Sequence, residues 1–181
     1  MRCIQVKLCC AKVFCFTVIS ALGSVVIQDK DQEYNDLDKC LHHIAATSKG
    51  QCNKTSIVIL GGYGSRFDQE IATIHALYKW AHKFQRIVLL SESNSTELLT
   101  AGWLHKIPIR GALKNGNTCG LLPLGGKVNC ITTTGLVWNL NEEFLELGQR
   151  ISTSNMVLED AEEVTVTCSE DLLWTCAINF H

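Results

Sequence analysis

Thr55-Ser56-Ile57-Val58-Ile59-Leu60 runs directly into Gly61-Gly62-Tyr63-Gly64-Ser65-Arg66-Phe67-Asp68-Gln69. The first six residues form a short apolar run that reads as a buried strand. Behind the glycines, Ile71, Ile74, Leu77, Tyr78 and Ala81 recur at helical spacing, which predicts a helix over 67–83. Glycines therefore stand where a strand ends and a helix begins. Glycine lets the backbone approach a ligand, and a helix N-terminus offers free N–H groups to phosphate. Arg66 can fork onto phosphate oxygens, and Asp68 can hold a metal or orient a hydroxyl. The spacing is neither the Walker pattern nor the dinucleotide fingerprint. Taken alone, such a turn reads as a plain tight turn.

Outward from this stretch, Asn35 is a good helix cap, and Asp38 three residues on resembles a capping box. Leu37, Cys40, Leu41, Ile44 and Ala45 then make one apolar face that ends near Gly50. His42 and His43 on that helix read as a partly exposed surface pair. Strand 55–60, helix 67–83 and Ile87-Val88-Leu89-Leu90 form a strand–helix–strand unit, which implies a parallel sheet. A short strand is expected at 24–27. After Ser91 helical periodicity fades. Strands are expected at 106–109, 127–131, 163–168 and 172–178, a spacing that suggests a β-sandwich or barrel. The fold class is therefore α/β followed by all-β, with the boundary near Gly102.

A chain of 181 residues, 46% hydrophobic and 19% charged, holds one ordinary domain or two small ones and buries a core. A formal charge of −2 without a basic stripe argues against nucleic-acid partners. Ten cysteines are many, but none form a CxxC pair or a zinc-spaced cluster with histidine. Those scattered inside apolar patterns read as reduced core residues. Trp174 reads as core, and Trp80 and Trp103 as packing residues.

The run Gly-Gly-x-x-x-Arg-Phe-Asp-Gln resembles the signature of the thiamin pyrophosphokinase family. Upstream, Asp31-Gln32-Glu33-Tyr34-Asn35-Asp36-Leu37-Asp38-Lys39-Cys40-Leu41 is similar to the family's Asp-Gln-Asp-x-Thr-Asp-x-x-Lys-x-Leu segment. Downstream come Cys119-Gly120-Leu121-Leu122-Pro123-Leu124-Gly125 and Thr132-Thr133-Thr134-Gly135-Leu136-Val137-Trp138-Asn139-Leu140. Ser152-Thr153-Ser154-Asn155 and Asp171-Leu172-Leu173-Trp174-Thr175 follow in the family's order. The resemblance starts at about residue 28.

It implies a partial Rossmann-like nucleotide-binding layer over 28–102 and a β-rich thiamin-binding domain over 103–181. It further implies transfer of a pyrophosphoryl group from ATP to the hydroxyethyl group of thiamin, with magnesium spreading phosphate charge. By the same resemblance Gln32, Gly61, Gly62, Arg66 and Gln69 line the nucleotide site. Asp36 and Asp68 stand on the metal and hydroxyl side, and Arg66 on the triphosphate. Trp138 offers a flat face for stacking on thiamin, and Ser152, Ser154 and Asn155 supply polar contacts. The family also implies a cytoplasmic homodimer. Without it, Asp36 would read as helix-dipole complementarity, Trp138 as a half-buried strand aromatic, and Ser152 to Asn155 as a turn.

Residues 1–27 depart from the family. Its Gly-Asp-x-Asp-Ser motif, whose aspartates bind magnesium and nucleotide, has no counterpart there, because that stretch holds no aspartate. Arg2 and Lys7 before an apolar stretch resemble a signal peptide or short anchor, though the run is shorter than the ~20 residues of a membrane span. An unrelated leader from alternative splicing or initiation is the preferred reading. A sheet lacking the family's first strands would leave an apolar edge bare. Three functions follow: an N-terminally truncated thiamin pyrophosphokinase chain left with little or no turnover by the missing motif, a non-catalytic thiamin-binding or dimerising module, or a secreted or tethered protein reusing the β-domain.

Overall fold

The computed structural model describes residues 2–7, 27, 29–63, 66–110 and 118–178. Two sheets carry the fold. The larger has seven strands, β1 (Arg2–Lys7), β2 (Thr55–Leu60), β3 (Arg86–Leu90), β4 (Asn94–Leu99), β6 (Thr118–Leu122), β9 (Ser152–Met156) and β11 (Leu172–Ala177). Their order is β1-β2-β3-β4-β11-β6-β9. The smaller has four strands, β5 (Leu104–Pro108), β7 (Val128–Thr134), β8 (Glu143–Leu145) and β10 (Glu163–Cys168), in the order β5-β10-β7-β8. Among the described residues two α-helices, α1 (Asp36–Thr47) and α2 (Phe67–Trp80), accompany them.

β1, β2 and β3 are parallel, and α1 and α2 lie on the connections between them. From β4 onward every pairing is antiparallel. The bare edge expected beside β2 is instead covered by β1, paired residue for residue from Arg2↔Thr55 to Lys7↔Leu60. Ile4 and Val6 alternate with Cys3 and Gln5, the period-2 pattern of a strand. The strand expected at 24–27 falls outside the described residues, apart from Ile27, which is in no regular element.

Alternation across the large sheet divides two cores. Leu98 on β4 and Leu173 on β11 join Ile57, Ile59, Ile87 and Leu89 in packing under α1 and α2. Their neighbours Leu99, Leu172 and Trp174 face the other way, onto Ile131, Val164 and Val166 of the small sheet. Successive strand residues point to opposite faces, so one strand serves both cores. The β-rich half is thus a sandwich, and its strands extend the parallel sheet of the first half. Gly102 lies in the β4–β5 connection, and the large sheet runs through both halves.

Glu163–Cys168 forms the strand expected there, and β5, β7 and β11 match the other three within a few residues. β4, β6, β8 and β9 were not foreseen as strands. In β4 the polar Glu97 breaks the apolar pattern. It is buried, and Arg86 on β3 binds both its oxygens, at 2.6 and 2.7 Å. α2 ends at Trp80, three residues short of expectation. Trp80 and Trp174 are core at 2% exposure, whereas Trp103 is 70% exposed and packs against no core. Among the described residues no helix is long and apolar enough to cross a membrane.

Candidate active site

The glycine-rich turn leaves the carboxyl end of β2, where ligands gather in parallel sheets. Gly61 has φ +78°, a conformation that costs other residues strain, and its N–H donates to Leu90 O on β3 at 3.1 Å. Gly62 follows; Gly64 and Ser65 lie outside the described residues. Arg66 then precedes the first turn of α2, which carries Asp68, Gln69 and Glu70.

Arg66 and Asp68 meet at once. Arg66 Nε donates to Asp68 Oδ1 at 3.0 Å and Nη2 to Oδ2 at 2.5 Å, a two-point grip. That hydrogen bonding holds the Asp68 carboxyl below the usual carboxylate range. It is an ionised acceptor at neutral pH and a poor proton donor. Both side chains, and Gln69, are exposed.

Gln32 and Asp36 come from the segment that enters α1. Asn35 caps this helix, its Oδ1 accepting from Asp38 N at 2.8 Å. Asp36 is exposed in the first turn. Gln32 is exposed in the bend before it, its Nε2 donating to Lys30 O at 3.1 Å. Asp38 does not return the capping-box bond. Its buried carboxylate turns to α2, accepting from Trp80 Nε1 at 2.8 Å and Lys79 Nζ at 3.1 Å. His42 is exposed and meets Trp80 edge-on, with ring centres 4.7 Å apart.

Trp138 lies in the turn after β7, its side chain 59% exposed. Gly135 opens that turn at φ +80°, and a Cβ there would meet Glu163 O at 2.5 Å. The turn is held from beneath. Asn155, buried on β9, accepts from Trp138 N at 3.2 Å and donates to Trp138 O at 2.8 Å. Asn139 Oδ1 accepts from Leu136 N and Thr133 Oγ1, both at 3.2 Å. Asn155 is therefore engaged with the turn rather than offered to solvent.

Ser152 to Asn155 is strand, not turn. Cys119↔Asn155 and Leu121↔Ser152 leave one extra residue on β9, a bulge, and Ser154 there has φ +57°. A left-handed serine costs ~1–2 kcal/mol, and such strain gathers at functional sites. Ser154 is exposed and Ser152 half-buried. The structure thus brings Arg66, Asp68 and Gln69 together at one turn, and Trp138 and Asn155 at another. Asn139 and Asp38 were missed; Asn139 bonds Leu136 and Thr133, three and six residues back, whereas the partners of Asp38 lie 41 and 42 residues on, where nothing local marks them.

A concavity of about 240 Å³ lies at the opposite end of the sheet, beside Arg86, Glu97 and His105; none of the candidate residues line it. Among the described residues no three metal-binding side chains cluster. A single exposed carboxylate such as Asp68 fits magnesium carried on a triphosphate, which draws most of its ligands from phosphate and water.

Two family models match. "Thiamin pyrophosphokinase, catalytic domain" covers residues 15–89, and "Thiamin pyrophosphokinase, vitamin B1 binding domain" covers 104–173. The chain belongs to the thiamin pyrophosphokinase family. Thiamine pyrophosphokinase 3 of Oryza sativa subsp. japonica is 38% identical over 165 residues, 90% of this chain and 60% of that protein. Thiamine pyrophosphokinase 1 of Arabidopsis thaliana is 40% identical over 159 residues, 87% of this chain and 58% of that one. The chain therefore spans about three fifths of these relatives' length. The thiamin pyrophosphokinase from Candida albicans superposes with a TM-score of 0.80 at 22% identity, over 93% of this chain and 70% of that one. The yeast structure gives 0.76 at 19%, over 98% and 69%. The catalytic match reaches back to residue 15, upstream of the motifs read from sequence. The glycine turn and Arg66–Asp68 fall inside the catalytic match, and Trp138, Asn139 and Asn155 inside the vitamin B1 binding match.

Proposed function

We propose that this chain serves pyrophosphoryl transfer from ATP to thiamin, giving thiamin diphosphate and AMP. The thiamin hydroxyl oxygen loses its proton to solvent and forms a bond to the β-phosphorus, the bridging bond between that phosphorus and the α-phosphate oxygen breaks, and AMP departs with its electron pair. Catalysis of this kind is mostly positioning and charge. Arg66 neutralises phosphate, and Asp68 orients the magnesium-bearing triphosphate and the hydroxyl. Gln32, Asp36, Gly61, Gly62 and Gln69 flank the nucleotide. Trp138 stacks on thiamin, and Ser152 and Ser154 approach its edge, while Asn155 fixes the stacking residue. The observation that carries this reading is the Arg66–Asp68 grip at the carboxyl end of a parallel strand in a family member. When bound, magnesium supplies charge neutralisation on the phosphates.

A specific observation favours a second reading, a thiamin-binding or dimerising module with little turnover. The first 27 residues of the sequence hold no aspartate, so the paired carboxylates of the family's Gly-Asp-x-Asp-Ser motif have no counterpart among them. Loss of metal carboxylates costs several kcal/mol of transition-state stabilisation, a rate loss of ~10³-fold or more. We infer that the 181-residue chain binds thiamin and releases AMP slowly. Coupled AMP detection with thiamin and Mg–ATP tests this. A slow release abolished in Asp68→Asn supports the reading, and release unaffected by that change contradicts it.

A homodimer is also proposed. Val137, Trp138, Phe144, Leu147, Ile151 and Leu158 of the β-half are all large, apolar and at least 39% exposed. Sedimentation at micromolar concentration should find a dimer, and a clean monomer would count against it. The cytoplasmic setting rests on free, buried Cys119, Cys168 and Cys176.

A further inference from the structure

Among the described residues, the polar contacts of residues 29–34 stay within that segment or reach Lys39. Asp29 and Asp31 accept from the backbone two residues on, and Lys39 Nζ donates to Asp29 O. Such local turns shape a loop without fixing where it sits. Tyr34 reaches further. It stands two residues after Gln32 and two before Asp36, and its ring packs edge-on against His42 at 5.2 Å. Lys79 Nζ, from the far end of α2, lies 5.0 Å from the ring centre.

A lysine on a surface helix ordinarily sweeps through solvent. Lys79 does not, because the buried carboxylate of Asp38 holds its ammonium at 3.1 Å. The other oxygen of Asp38 takes the Trp80 indole N–H at 2.8 Å. Both oxygens are thus committed to α2, so Asp38 is a strut rather than a metal ligand, although Asp36 is only two residues away. The strut crosses 41 residues of sequence and aims a fixed cation at an aromatic face.

We propose that Asp38 and Lys79 clasp Tyr34 at the last turn of α2 and thereby fix the segment that carries Gln32 and Asp36. Tyr34, Lys79 and Asp38 are positioning residues, and the inference rests on the nucleotide role given above to Gln32 and Asp36. Tyr34 is 44% exposed, so its contribution lies in placing the segment more than in holding the fold.

The test uses the full chain with Tyr34→Leu, Tyr34→Phe, Lys79→Met and Lys79→Arg. Amide hydrogen exchange over 29–36 is followed without ligand, and Mg–ATP and thiamin affinities are measured by calorimetry. Tyr34→Leu and Lys79→Met should speed exchange over 29–36 and weaken Mg–ATP about fivefold, the size of one partly exposed cation–π contact. Tyr34→Phe and Lys79→Arg should restore both, and thiamin affinity should hold throughout. Unchanged exchange in Tyr34→Leu and Lys79→Met overturns the clasp. Faster exchange with unchanged Mg–ATP affinity overturns its link to the nucleotide. A wild-type chain that binds no Mg–ATP, with exchange responding as expected, sinks the nucleotide role of Gln32 and Asp36 while upholding the clasp.

Discussion

At the glycine-rich turn the charged side chains are exposed and hold one another, as Arg66 holds Asp68. At Trp138 the side chain is exposed but its backbone is held from beneath, by Asn155, Asn139 and the left-handed Gly135. The first arrangement is a pair of charges that water can reach and a ligand can part. The second is a platform whose shape exists before any ligand arrives. Substitutions at the two places should therefore differ in kind. On the proposed reading, changes to the supports of Trp138 act on stability and a change to its ring acts on binding, whereas changes around Arg66 act on binding with little effect on stability.

The largest effect is expected at Gly135. Alanine there drives a methyl into Glu163 O and forces a left-handed backbone, a combined cost of ~3 kcal/mol. Thermal unfolding should move down by several degrees, and an unchanged midpoint would break the claim that this turn is rigidly held. Asn155→Ala comes next. It strands the Trp138 N–H and C=O that the amide now satisfies, at ~1–3 kcal/mol, and should weaken thiamin binding together with stability. Trp138→Ala should separate the two quantities. Thiamin affinity falls by ~1–3 kcal/mol, as for other base–aromatic stacks, while stability stays within ~0.5 kcal/mol as for exposed positions. Equal losses in both would make Trp138 a packing residue.

Smaller effects sharpen the contrast. Asp68→Asn removes an exposed carboxylate, so the melting midpoint should not move measurably while Mg–ATP binding suffers. The buried thiols give a pH signature. Burial pushes Cys119 up to about 12 and Cys168 and Cys176 up to about 11, from an ordinary 9.0. The unfolded chain loses these protons first, so their stabilisation is full below pH 9 and drains away as pH rises toward 11. Denaturant titrations from pH 8 to 11 should record a falling midpoint. Peptide-resolved alkylation at pH 8 should mark exposed Cys130 and spare Cys119 and Cys176 until the protein unfolds. Early modification of Cys119 would mean the sandwich is looser than its packing implies.

Strand β2, the glycine turn and α2 were legible because period, punctuation and charge all lie within one short stretch. β10 was legible for the same reason, a run of alternating β-branched residues. β4 and β9 were not. Their polar residues, Glu97 and Ser152 to Ser154, are accommodated by a distant arginine and by a bulge, neither of which leaves a local mark. β1 was obscured because its six residues were read as the charged flank of an apolar leader. The motifs that carry Arg66, Asp68 and Trp138 each lie in one short stretch of sequence, whereas the partners of Asn155, the N–H and C=O of Trp138, lie 17 residues back. The clasp of Asp38 and Lys79 on Tyr34 depends on packing between two helices, which sequence periodicity does not encode.

Calorimetric titration of thiamin into the chain without nucleotide tests the preformed platform most directly. The wild-type chain and Asp68→Asn should bind thiamin alike, and Trp138→Ala should bind at least about fivefold more weakly. Binding that requires Mg–ATP or Asp68, or that ignores the loss of Trp138, would contradict the account.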